Sequence, residues 1–382
     1  MAAPPVVLHR PRDFHSCKNH PLSGITLPQW ARLVAEHGDG MEVRRFWPRL
    51  AFLTSMSVIN TIGSVADSVL YGRAVARQAI NDEPVFVLGH PRTGTTHLHN
   101  LLSKDDRFAY ATTFAVGFPS GFLSTGWLAP YLGLIMDSTR PMDNMALAWN
   151  TPQEDELAVN QLSAGASPYM PLMFMKREKR FRRWYSMKDT SAAELGRWRD
   201  AFVHFCKKVQ LAAGGAHKRL LLKSPVHTAR VNLLHAMFPR ATFIFIHRHP
   251  YEVFQSAVHM ADAYYWQCYF QLPTAEEVQE FILYQGECLH AAYVEDIARV
   301  PLSQRTEVRF EDLNADPMGA LTALYGALGW GEAFNRVRPA VEAYRDSLRD
   351  FKMNAHVSLT PEAKDVVRRR WRAWFTDLRY DE

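Results

Sequence analysis

Hydrophobic residues in the first eighty positions recur at helical spacing. Apolar side chains repeat with a helical period through residues 27–38 and again through residues 41–79, and the polar and helix-breaking residues 81–84 end the pattern. Repeats of this kind are typical of amphipathic helices. We therefore predict a helical N-terminal extension over residues 1–82.

A different pattern starts at residue 85, where short apolar runs alternate with helical periods. The runs at residues 85–88, 220–222 and 241–246 each lead into a polar turn and then into helical spacing, and a run at residues 307–310 predicts a fourth or edge strand. Strands that are apolar on both faces and separated by helices form parallel sheets covered on both sides. The pattern predicts an α/β core over residues 83–330, with ligands at the carboxyl ends of its strands.

The composition is that of a folded chain. Of the 382 residues, 47% are hydrophobic and 22% are charged, which excludes disorder for most of the chain. We expect one domain, residues 1–382, that ends in a helical tail over residues 331–382. The most apolar stretch, residues 50–70, is interrupted by polar positions such as Asp67, so we expect a buried helix and no membrane span.

Cysteine usage and the N-terminus bear on the compartment. The four cysteines lie far apart, and no Cys-x-x-Cys pair occurs among them. Residues 1–25 hold no apolar run of signal-peptide length, so we expect no cleaved signal. Both observations favour a reducing compartment and a cytoplasmic location.

The loop after the first predicted strand has the spacing of a phosphate-binding loop. Residues 89–96 read Gly-His-Pro-Arg-Thr-Gly-Thr-Thr, with two glycines separated by four residues between a strand and a helix. Backbone N–H groups at a helix N-terminus favour an anion, and the net charge of +5 agrees with such a ligand. Thr95 replaces the lysine of nucleoside-triphosphate loops, and the cation has moved to Arg92. This change suits a nucleotide held by its 5′-phosphate better than a γ-phosphate with magnesium. The predicted nucleotide-binding residues are Arg92, Thr93, Gly94, Thr95 and Thr96.

Residues 91–96, Pro-Arg-Thr-Gly-Thr-Thr, resemble the loop of sulfotransferases that use 3′-phosphoadenosine 5′-phosphosulfate (PAPS). The resemblance extends over about residues 84–330. It implies a P-loop nucleotide-binding fold of the sulfotransferase type and an enzyme that moves a sulfuryl group from PAPS to a hydroxyl or amine. PAPS would then be the co-substrate, and no metal is expected.

Two further segments match this family. Residues 247–256, His-Arg-His-Pro-Tyr-Glu-Val-Phe-Gln-Ser, carry the Arg and Ser that in the family grip the 3′-phosphate, here Arg248 and Ser256. An arginine at a strand end and a serine on the following helix can converge on one phosphate through charge-assisted hydrogen bonds. Residues 222–227 resemble the segment where a lysine, here Lys223, contacts the transferring group. An ordinary structural ion pair is the alternative for Arg248.

Sulfuryl transfer also needs a general base, and the sequence offers two candidates. His227 follows Lys223 by about one helical turn, and the pKa range of histidine suits the task. Glu156 lies in an acidic segment, residues 151–156, that resembles a motif of this family. We interpret Thr151 and Glu154 of that segment as a capping box, which leaves Asp155 and Glu156. These two carboxylates either complement the helix dipole or supply a base, and Glu156 is the second candidate. The sequence does not choose between His227 and Glu156.

Aromatic and basic clusters bear on the acceptor and partners. The clusters at residues 264–270 and 114–127 either wall an acceptor pocket or pack in the core. The basic run at residues 176–183 either attracts an acidic polymer or is a solvated face. We expect a small hydroxylated acceptor, no nucleic acid, and in the apolar N-terminal extension a candidate surface for a homo-oligomer. The alternatives are a small-molecule kinase of the same fold and a catalytically silent anion-binding protein.

Overall fold

The computed structural model describes residues 13–132, 139–140, 142–349, 351, 354 and 358–382. Five parallel strands form one sheet in the order β2-β3-β1-β4-β5. The strands are β1 (Val85–Leu88), β2 (Phe108–Tyr110), β3 (Arg219–Lys223), β4 (Thr242–His247) and β5 (Arg305–Arg309). The predicted α/β class and parallel sheet are confirmed, and β2 is a strand that the sequence pattern did not reveal.

The helices surround this sheet and extend it at both ends of the chain. They are α1 (Leu27–His37), α2 (Val43–Arg77), α3 (Thr95–Leu102), α4 (Thr113–Gly117), α5 (Phe122–Thr125), α6 (Ala129–Leu132), α7 (Asp155–Leu162), α8 (Ala192–Ala212), α9 (Val231–Met237), α10 (Pro250–Ala263), α11 (Ala275–Ile297), α12 (Phe310–Ala315), α13 (Pro317–Ala327), α14 (Gly331–Ser347), α15 (Pro361–Arg370) and α16 (Arg372–Asp377). Short 3₁₀ segments include Met175–Trp184, Pro225–Arg230 and Tyr265–Gln267.

Alternate residues of the strands pack into two hydrophobic cores, one on each face of the sheet. In β1, Phe86 and Leu88 belong to the larger core, and Val85 and Val87 belong to the smaller one. The smaller core takes side chains from α3, α12, α13 and α14, whereas the larger takes them from α1, α2, α7–α11, α15 and α16. Continuous apolar strands are therefore needed in the centre of the sheet, because both faces of each strand are covered.

The strand order brings the loops after β1, β3 and β4 to one edge of the sheet. β1 pairs with β3 on one side and with β4 on the other, all three in parallel. The carboxyl ends of parallel strands point the same way, so the loops that follow them meet at one crevice, where α/β proteins bind ligands. This edge is where the predicted site residues lie.

The helical extension differs from its prediction in one respect. α1 and α2 form as expected, and Leu33 and Leu53 are fully buried in the larger core. The expectation that residues 50–70 form a buried helix is wrong for most of its large apolar side chains after Ser57, since Ile62 and Val69 of α2, for example, are 67% and 77% exposed. Among the described residues, α2 is also the one helix long and apolar enough to cross a membrane by length and composition. The division of the domain near residues 82 and 330 stays a prediction.

Replacing Gly286 with alanine tests how closely the C-terminal tail packs on the core. A Cβ atom on Gly286 of α11 would lie 2.3 Å from the indole ring of Trp371, which is 2% exposed and cannot move aside. We expect Gly286→Ala to lower the free energy of unfolding by about 1–3 kcal/mol in urea titrations, because overpacking costs more than helix propensity gains. Gly196→Ala in α8 meets nothing within 4 Å and is the control. It is expected to raise the free energy of unfolding by about 0.5–1 kcal/mol, and equal effects at both positions would contradict the tight contact.

Candidate active site

The loop between β1 and α3 makes a tight turn in front of the helix. Gly89, Arg92 and Gly94 have φ angles of +147°, +79° and +94°, values that favour glycine. A Cβ atom on Gly94 would lie 2.4 Å from the ring of Phe310, so this position admits only glycine. Thr95 is the first residue of α3, and the first amides of a helix lack intrahelical acceptors. The predicted residues Arg92–Thr96 thus stand at a helix N-terminus that faces the crevice.

Arg92 is held between two elements. Its Nε donates to Oγ of Ser256 on α10 at 3.0 Å, and its Nη1 lies 3.0 Å from a carboxylate oxygen of Asp143. The side chains of Arg92 and Asp143 are each 14% exposed. The two predicted phosphate-binding regions, the loop and α10, therefore meet through Arg92 and Ser256.

Arg248 lies directly after β4, as predicted, but its side chain pairs with Glu252 and not with Ser256. Its Nη2 lies 3.1 Å from a carboxylate oxygen of Glu252, and its guanidinium stacks 4.6 Å from the centre of the Phe310 ring. The Arg248 side chain is 15% exposed. Ser256 receives its hydrogen bond from Arg92, so the two side chains that the sequence placed on one phosphate are not directly bonded in the described contacts.

Lys223 lies at the centre of a polar cluster at the end of β3. Its Nζ donates to Oγ1 of Thr96 at 3.3 Å and to a carboxylate oxygen of Glu154 at 2.9 Å. Nη1 of Arg140 donates to the same Thr96 hydroxyl at 3.2 Å. Burial lowers the pKa of Lys223 below its usual value, although the charge of Glu154 opposes this. We call Thr96, Arg140, Glu154 and Lys223 the transfer cluster.

Sequence reasoning missed two members of this cluster. Arg140 lies in a connection without regular pattern, and only its charge marks it. The capping-box interpretation of Glu154 is wrong, because α7 begins at Asp155 and Glu154 is its N-cap residue without a side-chain cap hydrogen bond. The hydroxyl of Thr151 donates to the carbonyl of Ala148 instead. From the sequence alone, Glu154 is excluded as a candidate base because it is assigned a capping role. The structure shows no such role, so Glu154 becomes a candidate.

The environment of Glu154 keeps its carboxylate charged. Burial by itself raises the pKa of this carboxyl group. The charge of Lys223 and hydrogen bonds from Lys223 and the Tyr169 hydroxyl outweigh burial, so the pKa lies below its usual value. Glu154 is therefore ionised across the neutral pH range.

The two bases suggested by the sequence lie behind the cluster. Nε2 of His227 lies 2.6 Å from a carboxylate oxygen of Asp155, and both side chains are at most 1% exposed. Glu156 forms an ion pair with Arg230 at 2.7 Å, and both side chains are fully buried. Asp155, Glu156 and His227 offer ligand atoms within 4.8 Å of one another, a spacing that suits a metal ion. Glu156 is already paired with Arg230, and Asp155 with His227. These contacts compensate the carboxylate charges, so we assign no metal to the three residues.

A large apolar pocket opens beside the transfer cluster. Its volume is about 550 Å³, and Glu154 is the one carboxylate among the described residues that line it. Glu156 and His227 are not among the lining residues. The apolar and aromatic lining comprises Pro21, Phe52, Met56, Pro91, Val116, Phe118, Met142, Leu147, Trp149, Leu157, Tyr169, Leu172, Pro225, Met260, Tyr264, Tyr265 and Phe281. An acceptor in this pocket would place its polar end against Glu154 and Arg140.

The predicted aromatic and basic clusters take different places. Tyr264, Tyr265 and Phe118 line the pocket, whereas Phe270 is fully buried in the larger core and Trp127 is 69% exposed. Four of the six cations of the run 176–183 form ion pairs with acidic partners. These ion pairs are Lys176 with Glu42, Arg177 with Asp39, Arg182 with Glu178 and Glu280, and Arg183 with Glu194. The pairing favours a solvated face over a site for an acidic polymer.

His20 is the one histidine among the described lining residues of the pocket. Its Nε2 lies 3.2 Å from the carbonyl oxygen of Cys268, and its Nδ1 accepts a hydrogen bond from the backbone N–H of Leu22. Burial and the charge of Arg49 lower the pKa of His20 to about 3. Both ring nitrogens of His20 are occupied by backbone groups, so Glu154 is the ionisable carboxyl group among the described residues that faces the pocket.

Comparison with known proteins agrees with this geometry. The model of the Sulfotransferase family matches residues 84–333. The omega-hydroxy-beta-dihydromenaquinone-9 sulfotransferases Stf3 of Mycobacterium bovis and Mycobacterium tuberculosis are 33% identical over 348 residues, which are 91% of this chain and 88% of each relative. Solved structures with the same fold include the sulfotransferase STF1 of M. tuberculosis H37Rv, at a TM-score of 0.61 and 18% identity over 91% of both chains. STF9 of Mycobacterium avium has a TM-score of 0.60 at 15% identity, over 94% of this chain and 88% of that one.

Because Glu156 forms a buried ion pair, its substitution shows whether the residue has a structural or a catalytic role. Glu156→Gln leaves the Arg230 guanidinium buried without its counter-charge, so we expect the free energy of unfolding to fall by about 3–5 kcal/mol in urea titrations followed by circular dichroism. The control is Asp82→Asn, which breaks a pair with Arg240 whose side chains are 67% and 64% exposed. That change should cost less than about 1 kcal/mol. A Glu156→Gln protein as stable as the wild type would contradict the structural role.

Proposed function

This chain belongs to the sulfotransferase family, and on that premise we propose that it moves a sulfuryl group from PAPS to the hydroxyl group of an apolar, lipid-like acceptor. The observation that carries the proposal is the position of Glu154, which lines the apolar pocket and also pairs with Lys223 beside the nucleotide loop. One side of this carboxylate faces a place for the acceptor, and the other faces a place for the donor. The family favours sulfuryl transfer over the kinase alternative.

The donor would bind along the crevice edge of the sheet. The amides of Gly94, Thr95 and Thr96 at the start of α3, with Arg92 and Lys223, suit the 5′ end of the nucleotide. Thr93 supports this loop, since its hydroxyl donates to the carbonyl of His90 at 2.8 Å. The cations at this end supply the charge that the leaving phosphate needs, so the proposal includes no metal.

The 3′-phosphate would lie against Arg248 and Ser256. Arg248 is held at the carboxyl end of β4 by its pair with Glu252, and Ser256 is 2% exposed on the helix that follows. An anion between the two would replace the contact between Ser256 and Arg92 or share it. Charge-assisted hydrogen bonds from an arginine of this kind are among the strong contacts to phosphate.

Transfer requires one proton to move. The acceptor oxygen forms a bond to sulfur while the bond between sulfur and the 5′-phosphate oxygen breaks, and the phosphate keeps the electron pair. Glu154 takes the hydroxyl proton, and Lys223 and Arg140 stabilise the negative charge on the transferring and leaving groups. As in phosphoryl transfer, positioning of the reactants and stabilisation of charge supply most of the rate enhancement. The hydroxyl proton of the acceptor leaves late in the transfer, so a carboxylate of low pKa is a sufficient general base.

The pocket determines the proposed class of acceptor. A volume of about 550 Å³ with largely apolar walls suits a hydrophobic body with a terminal hydroxyl group. Stf3, 33% identical to this chain, is named for a hydroxylated menaquinone, which is such a molecule. We therefore propose a lipophilic alcohol in place of the generic small metabolite. The four cysteines are free thiols, in keeping with a proposed cytoplasmic location.

Donor binding provides one test. We expect Arg248→Ala to weaken binding of adenosine 3′,5′-bisphosphate roughly tenfold to a hundredfold, and Ser256→Ala up to about tenfold, because they remove a charged and a neutral hydrogen bond. Isothermal titration calorimetry measures both. Arg240→Ala is the charge-matched control, since Arg240 precedes β4 at the opposite edge of the sheet and is 64% exposed. Unchanged affinity in Arg248→Ala would contradict the 3′-phosphate assignment.

Turnover provides the test of the reaction and its base. With labelled PAPS and a long-chain primary alcohol, the wild type is expected to form the sulfate ester, detected by mass spectrometry. Glu154→Gln should lower kcat by about a hundredfold or more while the affinity for adenosine 3′,5′-bisphosphate is kept. Because Glu154 stays ionised above its lowered pKa, kcat should show no loss from this group between about pH 8 and about pH 6.

Glu156→Gln and His227→Asn are the matched comparisons, and their folded fractions should retain turnover. Loss of turnover in His227→Asn together with full activity in Glu154→Gln would return the base to His227. A wild type that binds the bisphosphate and transfers nothing to any alcohol would instead identify a silent binding protein.

A further inference from the structure

The long helix α2 buries several polar side chains on its inner side and exposes apolar side chains on its outer side. A surface helix of a globular protein normally turns its apolar side to the core and its polar side to water. In α2 the buried positions are Phe46, Arg49, Leu53, Ser57, Asp67 and Val75, three of them polar, whereas Ile62 and Val69 are exposed. At 3.6 residues per turn, the polar positions lie on the side opposite the exposed apolar ones.

The polar side of α2 is bonded firmly to the rest of the fold. Arg49 is fully buried, and its guanidinium donates to the carbonyls of Ser16 and Tyr269. Asp67 pairs with Lys208 of α8 at 2.7 Å, and both side chains are at most 5% exposed. A helix held by a buried ion pair and by an arginine on one side cannot leave the protein to span a bilayer without breaking these contacts. Any apolar partner therefore meets α2 on its outer side only.

The outer side of α2 presents a largely apolar stripe, which we call the α2 stripe; exposed Thr54 and Ser55 interrupt it between Trp47 and Val58. It runs from Trp47 to Leu70, a length of roughly 35 Å at the helical rise per residue. Its exposed members are Trp47 (60%), Val58 (47%), Ile59 (58%), Ile62 (67%), Val65 (57%), Val69 (77%) and Leu70 (67%). Six of these seven residues lie within residues 58–70, and a cluster of exposed apolar side chains of this size on a folded protein marks an interaction site.

The surroundings of the stripe indicate what covers it. Exposed arginines stand at both ends of the helix, Arg44 and Arg45 at its start and Arg73 and Arg77 at its end. The segment after α5, which packs on α2, adds Trp127 (69% exposed) and Tyr131 (71% exposed). Arginines that bracket an apolar helix face, with tryptophan and tyrosine nearby, fit the headgroup region of an anionic bilayer, where cations meet lipid phosphate and aromatic rings prefer the interface. A second protein copy would bring its own arginines against these, of which Arg45 also pairs with Glu42 at 3.3 Å.

α2 also contributes to the acceptor pocket. Phe52 and Met56 of this helix line the pocket, so one helix separates the pocket from the stripe. We propose that the α2 stripe rests in the surface of a membrane containing anionic lipid and keeps the acceptor pocket beside the bilayer. This inference goes beyond the proposed transfer reaction, because it concerns the surface on which the enzyme works.

Vesicle flotation tests the inference directly. The purified full-length protein is expected to float with vesicles of phosphatidylcholine and phosphatidylglycerol, and to float less with phosphatidylcholine alone or at high salt. Ile62→Gln with Val69→Gln should lower binding about tenfold or more, because polar side chains then enter the apolar layer. Both positions are more than half exposed, so the fold is retained and thermal unfolding should be unchanged.

The control places the same substitution on exposed apolar residues elsewhere. Leu302→Gln with Val294→Gln, at positions 77% and 43% exposed, should float as the wild type does. Flotation of the α2 double variant at wild-type levels would overturn the proposal, as would a wild type that stays unbound. A wild-type dimer in sedimentation equilibrium that the α2 double variant dissociates, without flotation, would show instead that the stripe is a self-interface. Flotation needs neither donor nor acceptor, so it succeeds or fails independently of sulfuryl transfer.

Discussion

The ion pair between Lys223 and Glu154 is the contact on which the site depends. Lys223 ends a central strand and is 1% exposed, so its charge needs a partner in the same low-dielectric space. Glu154 provides that partner at the start of α7, and Thr96 at the start of α3 accepts from the same ammonium group. The pair thus joins the sheet, the nucleotide loop and the acceptor wall. It also keeps both groups charged, as transfer of an anionic group beside a base requires.

Three consecutive carboxylates take three different roles because a helix start points them in different directions. Glu154 precedes the first turn of α7 and faces the pocket, Asp155 holds the imidazole of His227, and Glu156 pairs with Arg230 below them. The two inner pairs lie in the dry interior, where a missing partner is costly. They fix the first turn of α7 and so hold Glu154 at its position, with the proposed base at the outer end of this acidic segment.

Those parts of the structure that depend on one local sequence pattern could be predicted from the sequence. The central strands are apolar on both faces, and the loop at residues 89–96 carries glycines that its backbone requires, so both could be predicted. β2 was missed because three residues are too few for a period to show. The proposed roles of Glu154 and Arg140 could not be predicted, because they depend on where α7 starts and on a contact of Arg140 with Thr96 across the fold. The apolar content of α2 could be predicted from the sequence. The side of α2 that faces the protein could not, because it depends on partners such as Lys208.

The orientation of α2 and the chemistry of the pocket support the same account of the substrate. A long apolar alcohol is scarce in water and concentrated in a bilayer, so an enzyme for it gains from a site at the membrane surface. Sulfation adds a permanent charge to one end of such a molecule. The pocket has its polar end at Glu154, and its wall includes Phe52 and Met56 of α2. It therefore separates the hydroxyl end of such a molecule from its apolar body. On leaving toward the membrane, the product would keep its apolar body in the lipid and its new sulfate among the headgroups, beside the arginines at the ends of α2.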